Sequence, residues 1–229
     1  MESISDSQLY KFAELMRHIN SEYGTPVLLR FMHEMNGNWL PYYGQKPHQF
    51  KQAFVTMASY VHQLTNMTAM LWSPNIGGGY PYGGGDSLPK ANDPDPIQRE
   101  NFQQLNTNNA GSSANRIDAL DDPYGPYYPG DEYVDWVGLS VYNLNYDPNS
   151  RQTTAVPPSV FTDPSSGVYF GGGNVDSIRN FYKRFAQDKR KPFILSETGS
   201  SFVSNAPGSH SISEDRQWNS VELNSKQSW

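Results

Sequence analysis

The chain has 229 residues and carries 17 lysines and arginines against 23 aspartates and glutamates, a formal net charge of −6. This charge argues against a broad basic face for phosphate backbones, and no apolar run approaches the roughly 20 residues that span a bilayer, so we predict no nucleic-acid partner and no membrane partner. Because there is no cysteine, disulfides, thiolate zinc sites and cysteine nucleophiles are excluded.

The polarity of the chain comes mainly from uncharged groups. Charged residues make up 17% and aromatic residues 14%, with 15 tyrosines and 5 tryptophans. Such a mixture suits surfaces that bind neutral polar ligands such as sugars, and it equally suits a loop-rich secreted domain. The first residues lack the basic and apolar regions of a signal peptide, which indicates either an intracellular protein or a missing start.

The predicted elements alternate between helix and strand. Ser5 and Gln8 form a capping box for a first helix that ends at Gly24, and residues 27–32 form a short apolar strand. Pro47 begins the second helix, which is followed by a strand over residues 69–72.

The second half of the chain contains long polar loops. Residues 76–132 read as a loop with one helix near residues 97–105, and Asp121 and Asp122 within it are expected to be solvated rather than to bind calcium.

Two more strands are predicted beyond this loop, at residues 134–141 and 193–196, with a helix at 175–185 between them. The basic run 189–191 is expected to stay solvated, and Ser211 caps a last helix.

This alternation predicts parallel strands with right-handed crossovers, in which chemistry gathers beyond the carboxyl ends of the strands. Each predicted strand ends in polar or aromatic groups of the kind found in active sites. These are His33 and Glu34, residues 72–75, residues 142–143, and Glu197.

Glu34 and Glu197 each stand one residue past a predicted strand. Two carboxyl groups that flank one bond are what glycoside hydrolysis needs, about 5–5.5 Å apart for retention of configuration and about 6.5–9.5 Å for inversion. One must be protonated to donate to the leaving oxygen, and the other must be ionised. A single glutamate at such a position is more often a surface ion pair or a helix cap, but the pair indicates a glycosidase.

The sequence around Glu34 resembles a known family. Residues 26–39, with their His-Glu-Met-Asn-Gly-x-Trp core, are similar to the fourth-strand motif of glycoside hydrolase family 26, and the resemblance continues through residues 71–75, 135–142 and 191–197. It covers about residues 26–199. The family consists of retaining (β/α)8 barrels, chiefly β-mannanases, with some members acting on β-1,3/1,4-glucans or β-1,3-xylan.

The resemblance implies roles for both carboxylates and for the groups around them. Glu34 would be the general acid/base and Glu197 the nucleophile. Arg30 would support the charge network, His33 would hydrogen-bond the sugar or the nucleophile, and Tyr142 would hold Glu197 ionised by a phenolic hydrogen bond. His33 also fits a buried, hydrogen-bonded core histidine.

Three further residues are expected in the substrate cleft. Trp39 would offer a platform for a sugar ring, and Trp72 and Asn75 would line the cleft, although Trp72 fits core packing equally well. One position departs from the family pattern, since Ser140 stands where members often carry aspartate, and this leaves the preferred sugar open.

The motif order implies an α/β fold, an incomplete (β/α)8 TIM barrel of about four parallel strands, units four to seven. We therefore expect residues 1–229 to be a partial glycoside hydrolase catalytic domain of a longer secreted protein. Its partner would be a polysaccharide, most simply β-1,4-mannan. It would need no metal or organic cofactor and would be a monomer when full length.

Two other functions stay open from the sequence. One is a noncatalytic carbohydrate-binding remnant of such a barrel. The other is an unrelated α/β enzyme such as an esterase, which is disfavoured because no G-x-S-x-G motif follows any strand.

Overall fold

The computed structural model describes residues 4–40, 46–76, 80–81, 88–108, 115–143, 146–147, 152–153 and 180–200. The helices are α1 (Asp6–Tyr23), α2 (Pro47–Leu64) and α3 (Pro96–Leu105), with a 3-10 turn at Gly125–Tyr127 and a π-helical segment at Tyr182–Gln187. The strands are β1 (Val27–Arg30), β2 (Thr68–Trp72), β3 (Trp136–Asn143), β4 (Tyr146–Asp147), β5 (Gln152–Thr153) and β6 (Phe193–Ser200). The predicted last helix and the start of the helix predicted at 175–185 lie outside the described residues.

Four strands form one parallel sheet in the order β1-β2-β3-β6, so the strands of this sheet lie side by side in the order in which they follow one another along the chain. Strands β4 and β5 form a separate antiparallel pair. Helices α1, α2 and α3 each precede or follow a strand of the main sheet, as parallel βα units require. The predicted fold class, an incomplete (β/α)8 barrel with about four parallel strands, is confirmed.

Helix α1 begins and ends at the residues that the sequence indicates. The Ser5 backbone N–H donates to Gln8 Oε1 at 2.8 Å, and the Gln8 backbone N–H donates to Ser5 Oγ at 3.3 Å, which completes a capping box. Gly24 ends the helix at φ 61°, a left-handed conformation that glycine adopts without a Cβ penalty. The predicted boundaries of this helix are therefore confirmed.

The core lies between the sheet and its helices. Helix α2 starts with Pro47 at its first position and buries one face against the sheet and α1, and that face includes Phe50, Phe54 and Met57. In the described part of the chain, no helix is both long and apolar enough to cross a bilayer.

The long segment between β2 and β3 is held together by two buried carboxylates. The Asp122 carboxylate accepts hydrogen bonds from Arg184 Nη2 at 2.7 Å and Nη1 at 3.0 Å. It also accepts hydrogen bonds from the backbone N–H groups of Tyr124 and Gly125. Asp121 is fully buried and accepts backbone N–H groups, including that of Asn108 at 2.7 Å. The expectation that both acids are solvated is wrong, because backbone donors and one arginine replace water around them.

Candidate active site

The two candidate carboxylates lie at the edge of the sheet where the parallel strands end. Glu34 does not directly follow β1, which stops at Arg30, but lies in the turn beyond it, with φ at 55°. Glu197 lies inside β6 rather than after it, because pairing with β3 continues to Asn143 and Ser200. The prediction that each glutamate stands one residue past its strand is therefore wrong in position, although both remain at the same edge.

The Glu34 carboxyl group is buried and held by two neutral donors. Trp39 Nε1 donates to Oε2 at 2.6 Å, and Asn75 Nδ2 donates to Oε1 at 3.0 Å. Glu34 is only 9% exposed, so these bonds replace water on both oxygens. The left-handed backbone at Glu34 is uncommon for a non-glycine residue and aims the carboxyl group at these two donors.

Asn75 is itself fixed from both sides. Asn36 Oδ1 accepts the Asn75 backbone N–H at 2.9 Å, and Asn36 Nδ2 donates to the Asn75 carbonyl at 2.8 Å. The side-chain amide of Asn36 thus bonds both backbone groups of Asn75, as a neighbouring strand would. The Glu34 backbone N–H donates to the Ser73 carbonyl at 2.8 Å, which ties the turn to the end of β2. No role was predicted for Asn36 from the sequence, and its buried side-chain amide positions Asn75.

Trp39 combines a hydrogen bond to Glu34 with a partly open ring. It is 43% exposed, and its ring packs on Gly37, where a Cβ atom would overlap it. Glycine at position 37 is therefore required for the ring to reach Glu34. The expected role of Trp39 as a platform for sugars stays a prediction.

The Glu197 carboxylate is held by a cation. Arg30 Nη1 donates to Glu197 Oε2 at 2.7 Å, while the side chain of Arg30 is 21% exposed and that of Glu197 is 41% exposed. Arg30 also donates from Nε to Ser73 Oγ at 3.1 Å and from Nη2 to Ser140 Oγ. All three kinds of guanidinium nitrogen are thus used, which fixes the plane of the group.

The contacts of Arg30 extend across the whole parallel sheet. Three strand spacings, about 14 Å in a flat sheet, separate β1 from β6, yet Arg30 on β1 contacts Glu197 on β6 directly. On the way its guanidinium contacts Ser73 after β2 and Ser140 on β3. The side chain of Arg30 thus links the two end strands of the sheet on this face.

Trp72, which was predicted to line the cleft, lies in the core of the protein. Trp72 is fully buried, stacks on Phe181 with ring centroids 5.5 Å apart and meets Phe185 at 4.8 Å. Its expected place in the cleft is therefore wrong. The Ser73 side chain contacts Arg30 on one face of the sheet. Because successive side chains along a strand point to opposite faces, the Trp72 side chain lies on the other face, among the helices.

His33 is half-buried in the same turn as Glu34, so it lies beside the site, and its specific role stays a prediction. The backbone of Tyr142 pairs with Gly199 in the sheet, but its side chain lies outside the described residues. The expected phenolic hydrogen bond to Glu197 therefore also stays a prediction.

Among the described side chains, no group of three or more histidines, aspartates and glutamates lies close enough together to hold a metal ion. A groove of about 750 Å³ lies at the amino ends of β1, β2 and β3, opposite the carboxylates, and is lined by Pro26, Asp135 and Trp136 among others. The described residues place two carboxyl groups at this edge of the sheet, one held by neutral donors and one by a cation.

Residues 3–77 match a family model described as glycosyl hydrolase family 26. This match contains β1, the Glu34 turn and Asn75, and over this part of the chain it confirms the resemblance carried by the His33–Trp39 motif. No curated protein matches the chain at a significant level.

Several solved structures are similar in shape. A modular endo-β-1,4-mannanase from Cellulomonas fimi is 19% identical with a TM-score of 0.47, and the match covers 96% of this chain and 36% of that one. The catalytic domain of a family 26 endo-β-1,4-mannanase from Bacillus sp. JAMB-750 is 18% identical with a TM-score of 0.49, covering 97% of this chain and 43% of that one. The chain thus spans about two fifths of the length of these structures.

Proposed function

We propose that this chain, whose residues 3–77 match glycosyl hydrolase family 26, is the site-bearing part of a retaining endo-acting glycosidase. In this proposal Glu34 is the general acid/base and Glu197 is the nucleophile. The observation that carries the proposal is the pair of contrasting carboxyl groups at one edge of a parallel sheet, one between Trp39 and Asn75 and the other against Arg30.

The reaction proceeds by double displacement. The ionised carboxylate of Glu197 attacks the anomeric carbon while Glu34 gives its proton to the leaving glycosidic oxygen, which forms a glycosyl-enzyme ester. Glu34, now ionised, then takes a proton from water as that water attacks the ester and releases the sugar with retained configuration. The Arg30 contact supports this order because a guanidinium stabilises the anionic form of the nucleophile before attack.

The proposed substrate is β-1,4-mannan, on the resemblance to family 26, and β-1,3/1,4-glucan and β-1,3-xylan are the competing substrates. The partly open ring of Trp39 beside the acid/base supports a sugar chain as the ligand, since ring faces stack well on the apolar faces of hexoses. As an enzyme of polysaccharide degradation, the full-length protein acts outside the cell as a monomer.

Release of reducing sugar from the three polysaccharides tests this proposal. Glu34→Gln and Glu197→Gln are each expected to lower kcat on the preferred substrate by about 10³-fold or more, since each removes a reacting group. The exposed Glu22 on α1 provides a matched control, and Glu22→Gln should leave the rate unchanged. Wild-type rates in both site variants would refute the assignment, and binding of mannan without any hydrolysis by the wild type would indicate a carbohydrate-binding remnant.

An aryl mannoside with a good leaving group separates the two roles. Such a substrate needs little protonation, so Glu34→Ala should keep its first step and be rescued by azide to a β-glycosyl azide. Glu197→Ala has no nucleophile, and azide should instead take its place and give the α-glycosyl azide. The opposite pattern of products would exchange the two roles.

A further inference from the structure

Ser140 lies at the junction between the two carboxylate sites. It is fully buried on β3, next to an irregularity in the pairing of β3 with β6 between Leu139 and Ser140. Neither the reaction proposed above nor the family match gives it a role. Its backbone and its side chain contact different halves of the site.

The backbone of Ser140 holds the segment that carries Asn75. Its N–H donates to the Pro74 carbonyl at 3.1 Å, and its carbonyl accepts the Ile76 N–H at 3.1 Å. These two bonds enclose Asn75 in a parallel bridge. Since Asn75 donates to Glu34, the position of Ser140 along β3 sets where one donor of the acid/base lies.

The side chain of Ser140 reaches the other carboxylate. Its Oγ accepts a hydrogen bond from Arg30 Nη2, and the same hydroxyl lies 3.5 Å from Glu197 Oε2, to which it can donate. The hydroxyl thus completes a triangle with the guanidinium and the carboxylate. A serine is suited to this place because one hydroxyl both accepts and donates.

We propose that Ser140 is a positioning residue for Glu197, whose hydroxyl fixes the plane of the Arg30 guanidinium and thereby aims the carboxylate for attack. This inference rests on the proposed function for its catalytic consequence. Because Ser140 is neutral, it also leaves the charge of Arg30 to Glu197, whereas a carboxylate at position 140 would compete for the same cation. The role passes through Arg30 and Glu197, and Ser140 itself is not expected to contact the sugar.

The kcat and KM of Ser140→Ala and Ser140→Thr test the proposed effect of Ser140 on catalysis. The alanine variant is expected to lose about tenfold in kcat, the effect of one hydrogen bond to a charged group, with little change in KM. Threonine keeps the hydroxyl and should restore most of the rate. A loss in KM alone, or equal losses in both variants, would overturn the role.

The leaving group shows which carboxylate Ser140 serves. If it acts on the nucleophile, Ser140→Ala should be as impaired on an aryl mannoside with a good leaving group as on one with a poor leaving group. If the defect disappears with the good leaving group, Ser140 acts through Glu34 and the proposal is wrong. Ser140→Asp should be slower than Ser140→Ala on both substrates, because it gives Arg30 a second carboxylate.

A double-mutant cycle tests the coupling without turnover. Urea unfolding of the wild type, Ser140→Ala, Glu197→Gln and the double variant should show effects on the folding equilibrium constant that depart from additivity by about threefold or more. Ser140→Ala with Glu22→Gln serves as the additive control. If the wild type hydrolyses no polysaccharide, the proposed function fails while this cycle still decides the coupling, and additivity between Ser140 and Glu197 refutes it.

Discussion

The turn that carries Glu34 and the strand that carries Glu197 hold the same functional group in opposite ways. Glu34 is 9% exposed, and both side chains that bond its carboxyl group within the described residues, Trp39 and Asn75, are neutral. The Glu197 side chain is 41% exposed and bonds a guanidinium. One carboxyl group is thus held by neutral donors, and the other is paired with a cation.

The different surroundings of Glu34 and Glu197 match the different roles of the two carboxyl groups in a double-displacement reaction. An acid/base must exchange a proton twice in every cycle, and neutral donors hold it in place without a full opposing charge. A nucleophile must be ionised before attack, and a nearby cation favours that form. The contrast therefore supports Glu34 as the acid/base and Glu197 as the nucleophile.

Among the residues that hold the two carboxyl groups, the largest effect is expected when the positive charge of Arg30 is removed. Arg30→Met keeps the length of the side chain but loses the contact to Glu197 and the bonds to Ser73 and Ser140. We expect kcat to fall by about 10²–10³-fold, as when one preorganised electrostatic group is lost from a site. Steady-state kinetics on the preferred polysaccharide measures this.

Two further variants serve as controls for Arg30→Met, one at a different arginine and one with a different substitution at position 30. Arg17 is exposed on α1, and Arg17→Met should leave kcat unchanged. Arg30→Lys keeps the charge but not the planar fork, so it should fall between the wild type and Arg30→Met. If Arg30→Met kept kcat within about twofold, Glu197 would not depend on its cation and the contrast between the two sites would lose its meaning.

A smaller effect is expected on the Glu34 side. Trp39→Phe keeps a ring beside Gly37 but removes the Nε1–H that donates to Glu34 at 2.6 Å. Loss of one hydrogen bond to this group should lower kcat by about tenfold. The loss should shrink on an aryl mannoside with a good leaving group, because Glu34 then has little protonation to do.

Trp136 provides the matched control, since it begins β3 at the opposite end of the sheet. Trp136→Phe should leave kcat unchanged. A Trp39→Phe variant that raised KM and spared kcat would show that Trp39 serves only as a sugar platform, and Asn75 would then be left as the donor that holds Glu34.

Local sequence signals predicted much of the fold. The Ser5–Gln8 capping box, Pro47 at the start of α2 and the apolar runs of β1 and β2 each act within a few residues. The structure has all of them, although β1 ends at Arg30 and not at residue 32 as predicted. The gathering of Arg30 and Glu197 at one edge was also predictable, because parallel strands present their carboxyl ends together.

What the sequence could not show depends on partners far along the chain. The strands of a buried parallel sheet are apolar on both faces, so the pattern could not decide which face Trp72 takes. The extension of β6 past Glu197 depends on pairing with β3, more than 50 residues earlier. The basic run at 189–191 was expected to be solvated, but Lys189 pairs with Asp131 at 2.8 Å and Lys191 donates to the Asp131 carbonyl at 2.7 Å.

Asp131 is a third carboxylate to compare with Glu34 and Glu197. It is also paired with a cation, but at a more exposed position, so the smallest effect is expected there. Its side chain is 58% exposed, and its hydrogen bond with Lys189 is the main cause that lowers the pKa of Asp131. A lowered pKa means that the pair stabilises the fold above the unfolded value, about 3.9, and that this stability is lost as the pH falls through the folded value.

Asp131→Asn should therefore reduce the free energy of unfolding at pH 7 by at most about 1 kcal/mol, because solvent screens an exposed pair. The difference from the wild type should vanish in acid and shrink in high salt, and kcat should not change. Urea unfolding across pH measures it, with Glu22→Gln as a control that shows no such dependence. A difference that grew toward low pH would have the wrong sign for this pair. A loss of unfolding free energy as large as that of Arg30→Met in the same urea experiment would show that greater exposure does not weaken such a pair.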